Sequence, residues 1–219
     1  GTTGKPMPGQ DIKIAEDGEI LIKGGNVMKG YWKLPEETAA VFTPDGYFMS
    51  GDIGKFDEEG NLLITDRKKD LLITSGGKNI APQMIEGLFK SDPLFTQFIV
   101  IGEGKKYLTG LCNIDLEIAA MIADEEKIPY DKPSDLLDND RFLAVVKKHV
   151  EERNTHLAKY ETIKDFRIIK NEFSQEGGEM TATLKLKRKV IYEKYRDLIG
   201  EMYEKEAVDE LYGQKQSRA

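Results

Sequence analysis

Four short stretches carry side chains whose types and spacing suit chemistry on an oxygen-rich, anionic ligand. Ser50-Gly51-Asp52, within Tyr47 to Gly54, sets a carboxylate beside glycine at a strand end. A carboxylate only accepts hydrogen bonds, and its two oxygens match the paired hydroxyls of a ribose; the same aspartate can equally close a plain turn. Asp66-Arg67-Lys68-Lys69-Asp70 is a dense charge run, which on its own also reads as a solvated face. It leads through Leu71 to Thr74 into Ser75-Gly76-Gly77-Lys78-Asn79, where paired glycines permit positive φ and let a ligand approach the backbone. Met180 to Lys189 gathers Lys185, Lys187, Arg188 and Lys189 behind a Gly-containing loop, a pattern shared by nucleic-acid patches, targeting signals and exposed helix starts. The opening Gly1-Thr2-Thr3-Gly4-Lys5 looks like a phosphate loop but leads through Pro6, Pro8 and Gly9 into a strand. A phosphate loop must open a helix, so a turn ahead of a hairpin is expected there.

The elements that must hold these side chains fall into two textures, giving an α+β fold class. Residues 1 to 66 read as a small β subdomain: Ile12 to Ala15 and Glu19 to Lys23 alternate around the Asp17-Gly18 turn, Asn61 to Thr65 is strand-like, and Pro35 opens a short helix to Val41. A boundary is expected at Arg67 to Asp70, followed by a second domain over 67 to 206 and a fraying tail over 207 to 219. Pro82 begins a helix with Ile85, Leu88 and Phe89 on one face, and Phe98 to Gly102 is β-rich. Residues 115 to 156 form a helical insertion, Ile163 to Ile169 a strand, and Lys187 to Tyr203 a charged amphipathic helix.

Composition narrows the function classes. The chain has 219 residues, 39% hydrophobic and 32% charged, enough for one large or two small globular domains. A net charge of -7 disfavours nucleic acid and anionic lipid as long-range partners. The lone Cys112, expected to be a small buried residue, and the two histidines, His149 and His156, expected at the surface, leave no disulfide and no metal cluster. No apolar run nears the roughly 18 residues of a spanning helix. A cytoplasmic location is expected, with peripheral contact at a membrane left open. Trp32 and Tyr31 are expected to pack within the β subdomain. Because the chain begins with Gly1 in strand territory, it reads as a piece of a longer protein.

Taken together and in order, these stretches resemble the adenylate-forming superfamily of acyl-CoA synthetases, luciferases and peptide-synthetase adenylation domains. The resemblance runs through Gly18 to Gly24 with Gly30-Tyr31-Trp32, then Ser50-Gly51-Asp52, Asp66 to Asp70, Ser75 to Glu86, and Thr183-Leu184-Lys185-Leu186-Lys187-Arg188. The wording of Lys78 to Gln83 and of Thr183 to Arg188, with the helical insertion between, looks like the long-chain fatty acid branch. Leu184 stands where the commoner form has Gly, and Ala182 at a common Pro position.

The resemblance implies a C-terminal portion of a ligase that converts fatty acid, ATP and CoA to acyl-CoA, AMP and pyrophosphate through an acyl-adenylate, inactive alone. By the same resemblance, Asp52 binds the ribose, Arg67 contacts the nucleotide, and Lys69 is the hinge about which the C-terminal domain rotates. Gly76 lines the pantetheine tunnel, Lys78 contacts CoA phosphate, and Lys185 bridges the substrate carboxylate and the α-phosphate. A cation aimed at two approaching anions lowers their repulsion most where water is scarce. Mg2+ would accompany ATP, with its ligands in the N-terminal domain that this portion would partner. The alternatives are a fatty-acid AMP ligase serving an acyl carrier protein and a non-catalytic interaction module with the Lys187 to Lys205 helix as its contact surface.

Overall fold

Alternating apolar residues and tight turns build the first part of the chain, and the computed structural model describes residues 2–183 and 185–204. β1 (Gln10–Ile14), β2 (Glu19–Gly24), β3 (Phe48–Phe56) and β4 (Leu62–Arg67) form an antiparallel meander in that order. Asp57 closes the β3–β4 turn by accepting the N–H groups of Glu59 and Asn61 through Oδ1. α1 (Pro35–Ala40) interrupts the β2–β3 connection, with proline in its first turn, where a missing N–H costs nothing. The opening stretch does more than turn. Thr3 N–H donates to Leu62 O at 2.8 Å and Leu62 N–H to Gly4 O at 2.9 Å, a bridge onto the start of β4.

Two compact units result: one runs to Leu72 and takes in Asn79–Met84, the other holds Ile73–Lys78 and the described residues from Ile85 onward. A 3-10 turn, Lys68–Asp70, follows β4. β5 (Leu72–Ile73) and β6 (Asn79–Ile80) frame the loop between them, and α2 (Pro82–Lys90) follows.

In the second unit, β7 (Phe95–Ile101) pairs antiparallel with β8 (Leu108–Ile114), which pairs parallel with β9 (Ile163–Ile168). A parallel neighbour requires a crossover, and the helical insertion supplies it: α3 (Leu116–Glu125), a 3-10 segment (Pro133–Asp138) and α4 (Asp140–Asn154). Asp115 and Asn139 cap α3 and α4 by accepting the first free N–H groups of each. Every β8 residue is buried, the pattern of a central strand. Phe89 stacks on Phe98 with ring centroids 3.9 Å apart, and Phe95 meets Phe98 edge-on.

The C-terminal helix, expected unbroken from Lys187 to Tyr203, is α5 (Arg188–Lys194), a break at Tyr195, and helix again over 196–204. The Tyr195 ring packs edge-on against Phe173 at the break. Ile191, Ile199 and Met202 join Ile99, Ile101 and Leu111 in one core. Leu184 and the expected tail over 207–219 lie outside the described residues.

Candidate active site

Asp52 on β3 and Arg67 on β4 are register partners, and Arg67 Nε lies 2.8 Å from Asp52 Oδ1. The Arg67 side chain is 54% exposed and that of Asp52 24%, so the pair keeps an open side. The backbone around Asp52 is fixed by its neighbours. Gly51 turns at φ +72°, a conformation that glycine alone adopts freely, and donates its N–H to Glu19 Oε1 at 2.9 Å. Ser50 Oγ donates to Ile20 O at 2.7 Å and accepts the Asp52 N–H at 3.0 Å.

The charge run that follows divides by role. Asp66 is buried and accepts the N–H groups of Arg67 at 2.7 Å and Gln83 at 2.8 Å. Lys68 reaches Asp17 at 2.6 Å and Glu19 at 2.8 Å. The hydrogen bond from Lys68 holds the Asp17 carboxyl below its ordinary range, and the same bond raises the Lys68 ammonium. Arg67 and Lys69 remain exposed, Lys69 within the 3-10 turn.

Thr74 to Lys78 form a closed loop in the second unit. Thr74 N–H donates to Lys78 O at 3.0 Å, Lys78 N–H to Thr74 Oγ1 at 3.1 Å, and Ser75 N–H to Lys105 O at 2.9 Å. Gly77 takes the positive φ of +74°. At Gly76 an added Cβ would meet only Thr74 Oγ1, at 4.0 Å, so open space lies before that position. Lys78 Nζ stands 5.7 Å from the centre of the Tyr160 ring.

Lys185 is exposed on a hairpin whose backbone is pinned from both sides. Thr181 N–H donates to Lys185 O at 2.8 Å, Lys185 N–H to Thr181 Oγ1 at 3.0 Å, and Lys187 N–H to Glu179 O at 2.7 Å. Met180 and Leu186 form an antiparallel bridge across it. The candidate residues are thus distributed over the two units: Asp52, Arg67 and Lys69 in the first, Gly76, Lys78 and Lys185 in the second.

Several side chains behave differently from expectation. Trp32 is 85% exposed and Tyr31 45%, so neither packs into the β subdomain; both lie in the irregular stretch before α1, alongside exposed Leu34. His149 is not a plain surface residue, because its Nδ1 lies 2.8 Å from Oδ2 of buried Asp92, which Arg153 also contacts. His156, past the end of α4, is exposed as expected. Cys112, by contrast, is fully buried in β8 as expected, and burial pushes its thiol far above the ordinary range. Arg188, read from the sequence only as one cation of the Met180 to Lys189 run, makes an ion pair with buried Glu86, Nη2 to Oε1 at 2.7 Å. A single acid on the apolar side of α2, beside Ile85 and Phe89, was the available signal. Burial pushes the Glu86 carboxyl above its ordinary range, against the pull of Arg188.

Family comparison decides what these residues belong to. The family model described as the AMP-binding enzyme C-terminal domain matches residues 69–207. This chain belongs to that family. Long-chain fatty-acid CoA ligases are among its curated relatives: it is 40% identical over 207 residues to Long-chain-fatty-acid–CoA ligase FadD15 of Mycobacterium tuberculosis, covering 94% of this chain and 34% of the relative. The chain therefore spans about a third of the length of such a ligase. Among solved structures, the A-PCP didomain of carboxylic acid reductase from Segniliparus rugosus in complex with AMP is similar, with TM-score 0.65, 25% identity and coverage of 94% of this chain and 29% of that one. Apo MatB from Rhodopseudomonas palustris is similar with TM-score 0.62, 27% identity and coverage of 90% and 36%. The adenylate-forming family and the α+β class expected from the motifs are both borne out. Among the described residues no helix is long and apolar enough to cross a membrane.

Proposed function

We propose that this chain supplies the nucleotide-side pair, the adenylating lysine and the thioester loop of an AMP-forming long-chain fatty acid CoA ligase. In the first half-reaction a fatty acid carboxylate oxygen attacks the α-phosphorus of ATP and pyrophosphate leaves. In the second, the CoA thiolate attacks the acyl carbon and AMP leaves. Asp52 accepts hydrogen bonds from the ribose hydroxyls, and Arg67, a permanent cation beside it, meets the nucleotide's oxygens. Lys185 sits between carboxylate and α-phosphate in the first step only, and Gly76 and Lys78 face CoA in the second. Lys69 takes up the rotation that exchanges the two arrangements, as short connections at element ends do in other domain motions.

The observation that supports this most is the Asp52–Arg67 pair, two candidates 15 positions apart in sequence that meet side chain to side chain with one open face. Among the described residues no three His, Cys, Asp or Glu side chains gather to hold a metal ion. The test is AMP release by the full-length ligase given ATP, CoA and either palmitate or acetate. Palmitate-dependent release that requires CoA is expected, with none from this chain alone; release that ignores CoA, or prefers acetate, would overturn it.

A further inference from the structure

We propose, given the adenylation role assigned to Lys185 above, that Glu86 and Arg188 form a positioning pair that aims Lys185 at its substrates. Arg188 is the first residue of α5, three positions beyond Lys185, and Lys187 before it offers no side-chain cap to the helix. What fixes the helix start is the guanidinium. Its Nη2 meets both Glu86 oxygens, at 2.7 and 2.8 Å, and Nη1 donates to Val100 O at 3.2 Å. Glu86 in turn accepts the Val100 N–H at 2.8 Å, so one buried carboxylate ties α2, β7 and the exit of the lysine hairpin together.

The entrance of the hairpin has its own anchor. Buried Glu179 pairs with Lys194 at the end of α5 and accepts Lys187 N–H through its backbone oxygen. Lys185 therefore rides on a short arch with both feet charged and clamped, while its own residue stays exposed. A buried ion pair adds little stability over a well-packed apolar pair, because desolvation offsets the attraction; what the planar guanidinium adds, with Nη2 on the Glu86 carboxylate and Nη1 on Val100 O, is direction. Neither Glu86 nor Arg188 need touch substrate for this, and both act through the lysine.

The experiment compares, in the full-length ligase, ATP–pyrophosphate exchange with conversion of supplied acyl-AMP to acyl-CoA. Arg188→Lys keeps a cation but lacks the second fixed nitrogen that holds Val100 O while the first holds Glu86, and should lower exchange about tenfold to a hundredfold, as small misplacements of reacting groups do, while the thioester step stays within about twofold. The double variant Glu86→Leu with Arg188→Met removes both charges, lowers the thermal midpoint because the buried Val100 N–H loses its acceptor, and should still show the selective loss of exchange over the thioester step. Equal losses in both half-reactions tracking the thermal midpoint, or no loss in either, would overturn the positioning role. Lys185→Ala is the control: if exchange survives it, the lysine assignment itself fails; if exchange is lost there but not in the pair variants, only the pair fails.

Discussion

Arg67 and Asp52 face one another across β3 and β4 with Nε 2.8 Å from Oδ1. Such a half-exposed pair contributes at most about 1 kcal/mol to folding. Asp52→Ala should therefore move the thermal midpoint little, yet raise the KM for ATP about tenfold to a hundredfold by removing charge-assisted acceptors. Steady-state kinetics on the full-length ligase beside a thermal melt measures both; a large melt shift with unchanged KM would make the pair structural.

Lys69 lies in the 3-10 turn that follows β4, exposed and just ahead of the division between the units. Proline there fixes φ near about -65° and restrains Lys68 before it. Lys69→Pro should trap one arrangement, so that one half-reaction is lost and the other stays close to normal. Single-turnover assays of each half-reaction distinguish this from an inert connection, which would leave both intact.

Open space in front of Gly76 means that a larger residue is tolerated by this chain's own packing. Gly76→Leu should leave pyrophosphate exchange within about twofold and cut thioester formation by about a hundredfold or more, since the side chain would occupy a path needed only then. Unchanged CoA-dependent turnover would remove Gly76 from the tunnel.

Gly110 on β8 has no such room: a Cβ would lie 2.3 Å from Phe98 Cζ. Phe98 is held between Phe89, stacked at 3.9 Å, and Phe95, edge-on at 5.7 Å, and cannot retreat. Gly110→Ala should destabilise by about 1–3 kcal/mol, read as a lower urea midpoint.

Local pattern carried much of this fold. The β1–β2 hairpin announces itself through alternation around Asp17-Gly18, and α2 through Pro82 with Ile85 and Phe89, because strand and helix periods are written in neighbouring residues. The parallel pairing of β8 with β9 is not local, since it depends on a crossover through the whole helical insertion. Asp66 and Lys68 looked like their neighbours Arg67 and Lys69 until the fold gave them partners at Gln83, Asp17 and Glu19. Glu86 and Arg188 meet across 102 positions, a separation that no local pattern reports. Trp32 was expected inside because large aromatics are usually buried; its stretch before α1 has no core to enter.

Lys185 carries the central claim, and its deletion is the most direct measurement. In the full-length ligase, Lys185→Ala should reduce ATP–pyrophosphate exchange with palmitate by at least about a hundredfold, the scale for removing one electrostatic group from a transition state. The same variant should convert supplied palmitoyl-AMP and CoA to thioester at close to the wild-type rate. Its thermal midpoint should hold, because the residue is exposed and its backbone bonds do not involve the ammonium. Exchange at the wild-type rate, with or without loss of the thioester step, would contradict the assignment of Lys185 as the adenylating residue.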